Sequence, residues 1–224
     1  MSLSLCKNAL SSESELLTRC SSIAGLSFSQ LACLTGCTIP QTKSQRKGWT
    51  GLAIELALGT TAGTKAVPDF ENLGIELKTI PLNALGKPAE STFVTSISLT
   101  SIHRETWKES QCFQKLQRVL WVPVEGDTMI PFEQRRIGSG FLWSPNEEQE
   151  RILSDDWHEH STMIGMGRLE EIDASMGEYL QVRPKAANAR SLCDGFDAEG
   201  KKIRTLPRGF YLRASFTRQL LKSL

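Results

Sequence analysis

The chain has 224 residues, of which 40% are hydrophobic and 23% charged, with a formal net charge of +1. That length can bury a core without disulfide or metal staples, and no apolar run approaches the ~20 residues that span a bilayer, which excludes a membrane protein. Six cysteines, Cys6, Cys20, Cys33, Cys37, Cys112 and Cys193, contain no CxxC pair, and no Cys/His spacing closes a zinc site, His158 and His160 included. The segment Met1 to Ala9 holds one lysine and no continuous apolar stretch, so it lacks the features of a secretory signal and a cytoplasmic protein is expected.

Ser12-x-x-Glu15 opens a helix to Ala24 with the capping-box pattern, and Leu16, Leu17, Cys20 and Ile23 fall on one face. Gly25 stops it. Ser27 begins a second helix with Leu31 and Leu34 inward, ended by Gly36. A polar, basic stretch from Gln41 to Gly48 leads to a third helix from Trp49 to Leu58, closed by Gly59. Gly74 to Ile80, Thr92 to Leu99 and Val119 to Val124 read as strands. Ser144-Pro145-x-Glu147 reads as a helix start, with Pro145 at the first helical position and an acidic helix running to Ile164. Glu178 to Arg183 reads as another strand, broken by Pro184. An Ala-rich helical turn, a turn at Gly200, the segment Thr205 to Leu212 and a short helix capped by Ser215 complete the chain. Residues 1–224 thus read as one α/β domain with two lobes around a cleft.

Charge is uneven along the chain. Asn146 to Glu178 holds ten Asp/Glu against two Arg, whereas Arg183 to Leu224 holds ten Lys/Arg against three Asp/Glu. The second segment suggests a basic face suited to phosphates, although solvated charge runs are common.

The chemistry is concentrated in Asp69 and Glu76-Leu77-Lys78. Alternation along a strand puts Glu76 and Lys78 on one face. Phosphodiester hydrolysis needs a divalent ion to neutralise phosphate charge and acidify an attacking water, and carboxylates supply the ligands. Magnesium suits such a site, because it takes oxygen ligands and keeps several waters. Lys78 can orient the water or stabilise developing negative charge. Glu55 interrupts the apolar run Leu52 to Leu58; a surface position and an inward, metal-linked one are both open.

The spacing D-x6-E-x-K is weak evidence alone, but it falls within a series of six matching segments in order, one of which contains its Glu76 and Lys78. These are Lys47-Gly-Trp-Thr-Gly51, Gly74 to Pro81, Arg118 to Gly126, Leu142 to Glu147, Gly177 to Asn188 and Thr205 to Leu212. Together they resemble the MutH family of DNA mismatch-repair endonucleases, within the PD-(D/E)xK restriction-endonuclease-like superfamily. The resemblance covers Ser12 to Leu221. It implies a mixed sheet flanked by helices, in a monomeric two-lobed clamp on double-stranded DNA. The implied reaction is nicking of the unmethylated strand of a hemimethylated GATC site, 5′ to the G, with magnesium, activated by MutS and MutL. Manganese is expected to substitute, and calcium to support binding only. The resemblance also implies residue roles. Asp69, Glu76 and Lys78 form the catalytic core, with Glu55 assisting and Lys115 beside the scissile phosphate. Metal is held by Asp69, Glu76, Leu77 and Glu55. Arg183, Pro184, Lys185 and Tyr211 resemble base-reading positions, and Lys47, Gly48 and Phe93 further DNA contacts.

From the residues alone, Arg183 and Lys185 sit on one face of an extended segment, and arginine is the usual bidentate reader of guanine. Surface salt bridging is the plainer alternative. Tyr211 and Phe210 could simply be core. Two other functions stay open: a restriction enzyme recognising the same four bases, and a DNA-binding protein without catalysis.

Overall fold

The computed structural model describes residues 10–46, 48–60, 67–186, 188 and 190–222. In chain order the helices are α1 (Glu13–Ile23), α2 (Phe28–Thr35), α3 (Lys43–Arg46), α4 (Trp49–Leu58), α5 (Gln111–Leu116), α6 (Glu147–Gly165) and α7 (Ala214–Lys222). The strands are β1 (Glu76–Leu82), β2 (Thr92–Ser96), β3 (Val119–Glu125), β4 (Phe141–Trp143), β5 (Leu180–Pro184), β6 (Cys193–Phe196), β7 (Lys202–Thr205) and β8 (Arg208–Leu212). The architecture is mixed α/β, as expected. The chain divides into two compact units, Met1–Ala89 with Gln117–Ser144, and Glu90–Leu116 with Pro145–Leu224. Among the described residues no helix is long and apolar enough to cross a membrane.

The first unit is built on a sheet ordered β1-β3-β4, with β1 and β3 parallel and β4 antiparallel to β3. Leu120 and Val122 of β3 join Leu16, Ile23, Leu31, Ala53, Ile54 and Leu58 of the helices in one buried core. An aromatic cluster anchors α4 there: Phe28, Trp49 and Phe132 have ring centroids 5.0 to 5.8 Å apart, a spacing typical of tilted and edge-on aromatic pairs. Arg118, at the entry to β3, makes a bidentate ion pair with Glu13 of α1, through Nε at 2.8 Å and Nη2 at 2.5 Å. Its guanidinium holds the Glu13 carboxyl below the usual range. The same residue's carbonyl accepts from the Glu76 N–H at 3.0 Å, so this anchor sets where β1 begins its pairing.

In the second unit β2, β8 and β5 form an antiparallel sheet, and β6 and β7 a separate hairpin. Leu180, Val182, Phe210 and Leu212 are buried on one side, together with Phe216 of α7. Asp156 of α6 is 6% exposed. Its carboxylate accepts from the N–H groups of Glu178, Tyr179 and Leu180 at 2.8, 2.7 and 2.7 Å. The preceding loop is held at the same end of the sheet by Arg213, just past β8, which donates to the carbonyls of Ala174, Met176 and Gly177 at 2.7 to 2.9 Å. One helix carboxylate and one arginine therefore fix the entry to β5.

Several local expectations need correction. Ser12 does accept from the Glu15 N–H at 3.2 Å, but the reciprocal half of the capping box is absent. Glu15 instead accepts from the Ser11 N–H and hydroxyl, and pairs with Arg19 at 2.6 Å one turn on. The full capping box is at α2, between Ser27 and Gln30. Helix α6 starts at Glu147 with Asn146 as its cap and Gln149 completing a second capping box. Pro145 lies before the cap, and the Ser144 hydroxyl donates to the Gln117 carbonyl at 2.7 Å. Ser215 lies inside α7, which starts one residue earlier. Strand β4 and the β6–β7 hairpin around Gly200 have no counterpart in the predicted elements; β4 has only three residues and β6 and β7 four each, too few to show a period. The proposed Ala-rich turn includes Ala187 and Ala189, outside the described residues.

Candidate functional site

Strand β1 is buried on both faces at its start. Glu76, Leu77 and Lys78 are 4%, 6% and 9% exposed, because a strand covered on both sides reads as continuously buried. Leu77 points into the helix-packed core. Glu76 and Lys78 share the opposite face, and the Lys78 ammonium donates to Glu76 Oε1 at 2.7 Å. Two buried charges persist only as a pair with further hydrogen bonds, since removing either partner strands the other.

Asp69 reaches this point through a tight reversal. Phe70 and Ile75 pair across the 3-10 turn Glu71–Leu73, with the Phe70 N–H donating to the Ile75 carbonyl at 2.9 Å. Gly74 closes the turn at φ +64°, a left-handed conformation that favours glycine. The reversal lays Asp69 alongside β1, where its Oδ2 accepts from the Leu77 N–H at 2.8 Å. Gly74 thus turns the chain before β1, and the strand starts two residues later than predicted.

The structure therefore brings together Asp69, Glu76, Leu77 and Lys78. Glu55 lies on α4, which packs on β1. It is half-buried between the exposed Leu52 and Leu56, and its Oε1 lies 3.9 Å from the space a Cβ on Gly51 would take. No three His, Cys, Asp or Glu side chains among the described residues gather into a cage for a metal. Magnesium does not require one, because one or two carboxylates and several waters complete its shell. Two carboxylates with the Leu77 carbonyl are hard oxygen donors, and this donor set fits magnesium.

In the second unit, Arg183, Pro184 and Lys185 are exposed in succession where β5 leaves the core. Tyr211 of β8 is half-exposed, whereas Phe210 is buried at 1%. Alternation assigns Phe210 to the core and Tyr211 to the other face, closing the question left by the sequence. The register sets Tyr211 opposite both Phe93 and Gln181. Phe93 and Tyr211 meet edge to face with centroids 5.3 Å apart. The Arg183 guanidinium lies 5.9 Å from the Tyr211 ring centre, and Lys185 Nζ lies 3.3 Å from that of Phe93. Two cations and two aromatic rings thus share one sheet face. Burial, with Glu90 in support, raises the Tyr211 phenol above its ordinary range, and Arg183 opposes the shift.

The family profile described as DNA mismatch repair enzyme MutH matches residues 58–156. A DNA mismatch repair protein MutH from Vibrio campbellii (strain ATCC BAA-1116) is 50% identical over 210 residues, 94% of this chain and 93% of its own. A protein of the same name from Escherichia coli O17:K52:H18 (strain UMN026 / ExPEC) is 50% identical over 209 residues, 93% of this chain and 91% of its own. The chain belongs to the MutH family of DNA mismatch repair endonucleases. The expected membership holds, and with it a role in DNA mismatch repair.

Other positions expected to matter in a MutH-family chain are placed as follows. Lys115 is half-buried on α5, in the second unit. Gly48 is exposed at φ +91° and precedes α4 without a side-chain cap. Lys47 lies outside the described residues. Sequence reasoning missed Gln181, 5% exposed, whose Nε2 donates to the Ser91 hydroxyl at 2.7 Å. Its place two residues before Arg183 on the same strand face was the available signal. It also missed Asp156, which looked like one more acid of an acidic helix.

Proposed function

We propose that this MutH-family chain nicks the unmethylated strand of hemimethylated GATC sites, 5′ to the G, by magnesium-dependent hydrolysis, as a monomer activated by MutL and MutS. The observation that carries this reading is the buried Lys78–Glu76 pair beside Asp69, which is itself braced on the Leu77 N–H. A surface salt bridge would not need such burial. Asp69, Glu76 and the Leu77 carbonyl would hold magnesium, with Glu55 assisting from α4. When bound, the ion neutralises charge on the phosphate and lowers the pKa of water. Lys78 orients the attacking water and stabilises negative charge that develops on the phosphoryl oxygens. Lys115 supplies a further cation to the scissile phosphate.

Reading the site falls to the sheet face of the second unit. Arg183 offers two parallel donors to a guanine edge, and Lys185 a single point charge. Tyr211 presents a ring and a hydroxyl to the adenine, whose N6-methyl group replaces an amino hydrogen with apolar bulk. Lys47, Gly48 and Phe93 add contacts to the duplex.

The decisive experiment is nicking resolved strand by strand on unmethylated, hemimethylated and fully methylated GATC duplexes at fixed salt. Cutting confined to the unmethylated strand is expected. Tyr211→Ala should reduce the preference between strands about tenfold, corresponding to the ~1–3 kcal/mol of one base contact. Equal cutting of both hemimethylated strands by the parent protein would defeat the methylation-sensing reading.

Metal exchange gives a second test. With calcium in place of magnesium, specific duplex binding should persist while nicking falls below detection, because calcium holds its ligands loosely and polarises water less. Nicking at full rate in excess chelator would rule out the metal-dependent reaction.

A further inference from the structure

The sheet face that carries Tyr211 has one conspicuous gap, at Gly209. The side-chain position of residue 209 lies on the same face as that of Tyr211, two residues away on β8. Strand β2 carries one extra residue opposite this point, so that Phe93 pairs with Tyr211 but Thr95 already pairs with Phe210. An extra residue bends and re-aims its strand locally. The Phe93 ring consequently leans across β8 and covers Gly209. A Cβ at residue 209 would lie 2.9 Å from Phe93 Cε2, 3.5 Å from its Cδ2 and 3.0 Å from the Thr95 carbonyl oxygen. The backbone of Gly209 is not in the left-handed region, so contact space, not backbone conformation, is what favours glycine here.

We infer that Gly209 is a positioning residue for sequence recognition: its missing side chain seats the Phe93 ring, and that ring in turn holds Tyr211 and Lys185. The seated ring presents an edge-to-face contact to Tyr211 at 5.3 Å and a face to the Lys185 ammonium at 3.3 Å. Each contact contributes modestly, but both act on side chains that need a defined starting orientation to meet a base edge. The inference rests on the base-reading role proposed above.

Gly209→Ala is the test, beginning in the protein without DNA. The ε-methylene protons of Lys185, identified by their loss in Lys185→Arg, should resonate upfield in the parent because the adjoining Nζ lies 3.3 Å from the Phe93 ring centre. In Gly209→Ala that shift should disappear. The preference for GATC over duplexes altered at one base should fall about tenfold, while affinity for unrelated duplex stays within twofold. Because a Cβ would also approach the Thr95 carbonyl, thermal unfolding of Gly209→Ala is compared in the parent and in Phe93→Leu. A destabilisation that vanishes in the Phe93→Leu background assigns the effect to the ring. Equal destabilisation in both backgrounds, a retained upfield shift, or an unchanged sequence preference would each overturn the inference. A parent protein with no preference for GATC would overturn the base-reading proposal and this inference with it, while the spectra still report whether the seat exists.

Discussion

Glu76→Gln is expected to lower nicking of a GATC duplex about a thousandfold or more while changing specific duplex binding less than threefold. Loss of a carboxylate that holds the catalytic ion removes several kcal/mol of transition-state stabilisation, and about 4 kcal/mol corresponds to a thousandfold in rate. Glutamine is chosen because its amide oxygen can still accept from Lys78, which sits 2.7 Å from Glu76 Oε1 with both side chains buried. Alanine would leave a buried ammonium alone and unfolding would confuse the result. Asp69→Asn tests the same centre from the loop side. Its amide oxygen can still accept from the Leu77 N–H, so turnover should again collapse with the melting temperature nearly unchanged. Cleavage and binding lost together, in proteins that remain folded, would reassign both residues to DNA contact.

Asp156→Ala is expected to destabilise the protein by about 3–5 kcal/mol, since one buried carboxylate serves three backbone donors and each stranded donor costs about 1–3 kcal/mol. For a chain of this size the melting temperature should drop by roughly 10 °C. Asp156→Asn should be milder, because its single carbonyl oxygen can serve some of the three N–H groups at 2.7 to 2.8 Å while its amide nitrogen cannot. The residue also holds the start of β5 at Leu180, three residues before Arg183. Below the melting range, surviving folded Asp156→Ala should therefore lose sequence preference more than affinity for unrelated duplex. Unaltered stability in Asp156→Ala would mean that the entry to β5 is secured by Arg213 alone.

The element boundaries that follow from local rules were legible in the sequence. Helix α4 runs from Trp49 to Leu58 and ends at Gly59, φ +80°, as the apolar run and the following glycine indicate. The pairing of Glu76 with Lys78 on one face followed from strand alternation alone. The opposite facing of Phe210 and Tyr211 was not legible, since both could be core until β8 formed and its alternation buried Phe210 alone. Where two caps competed, as at Ser144 and Asn146, the winner depended on Gln149 three residues inside the helix and on a carbonyl at Gln117 far away in sequence.

What only the tertiary structure decided are the relations between distant segments. Asp69 reaches the Leu77 N–H because a glycine turn reverses the chain between them, a geometry that the D-x6-E-x-K spacing permits without specifying. Asp156 looks in sequence like a solvated acid of an acidic helix, yet it is buried because β5 arrives with three unpaired donors. Gly209 carries no signal in one dimension, since its importance lies in a ring from another strand, displaced by an extra residue in β2. Sequence by itself determined the family and the chemical types at the site, because both reside in residue identity and short-range period. The partners that bury, brace and seat those residues are set by strand register and packing, which bring together positions that no local rule connects.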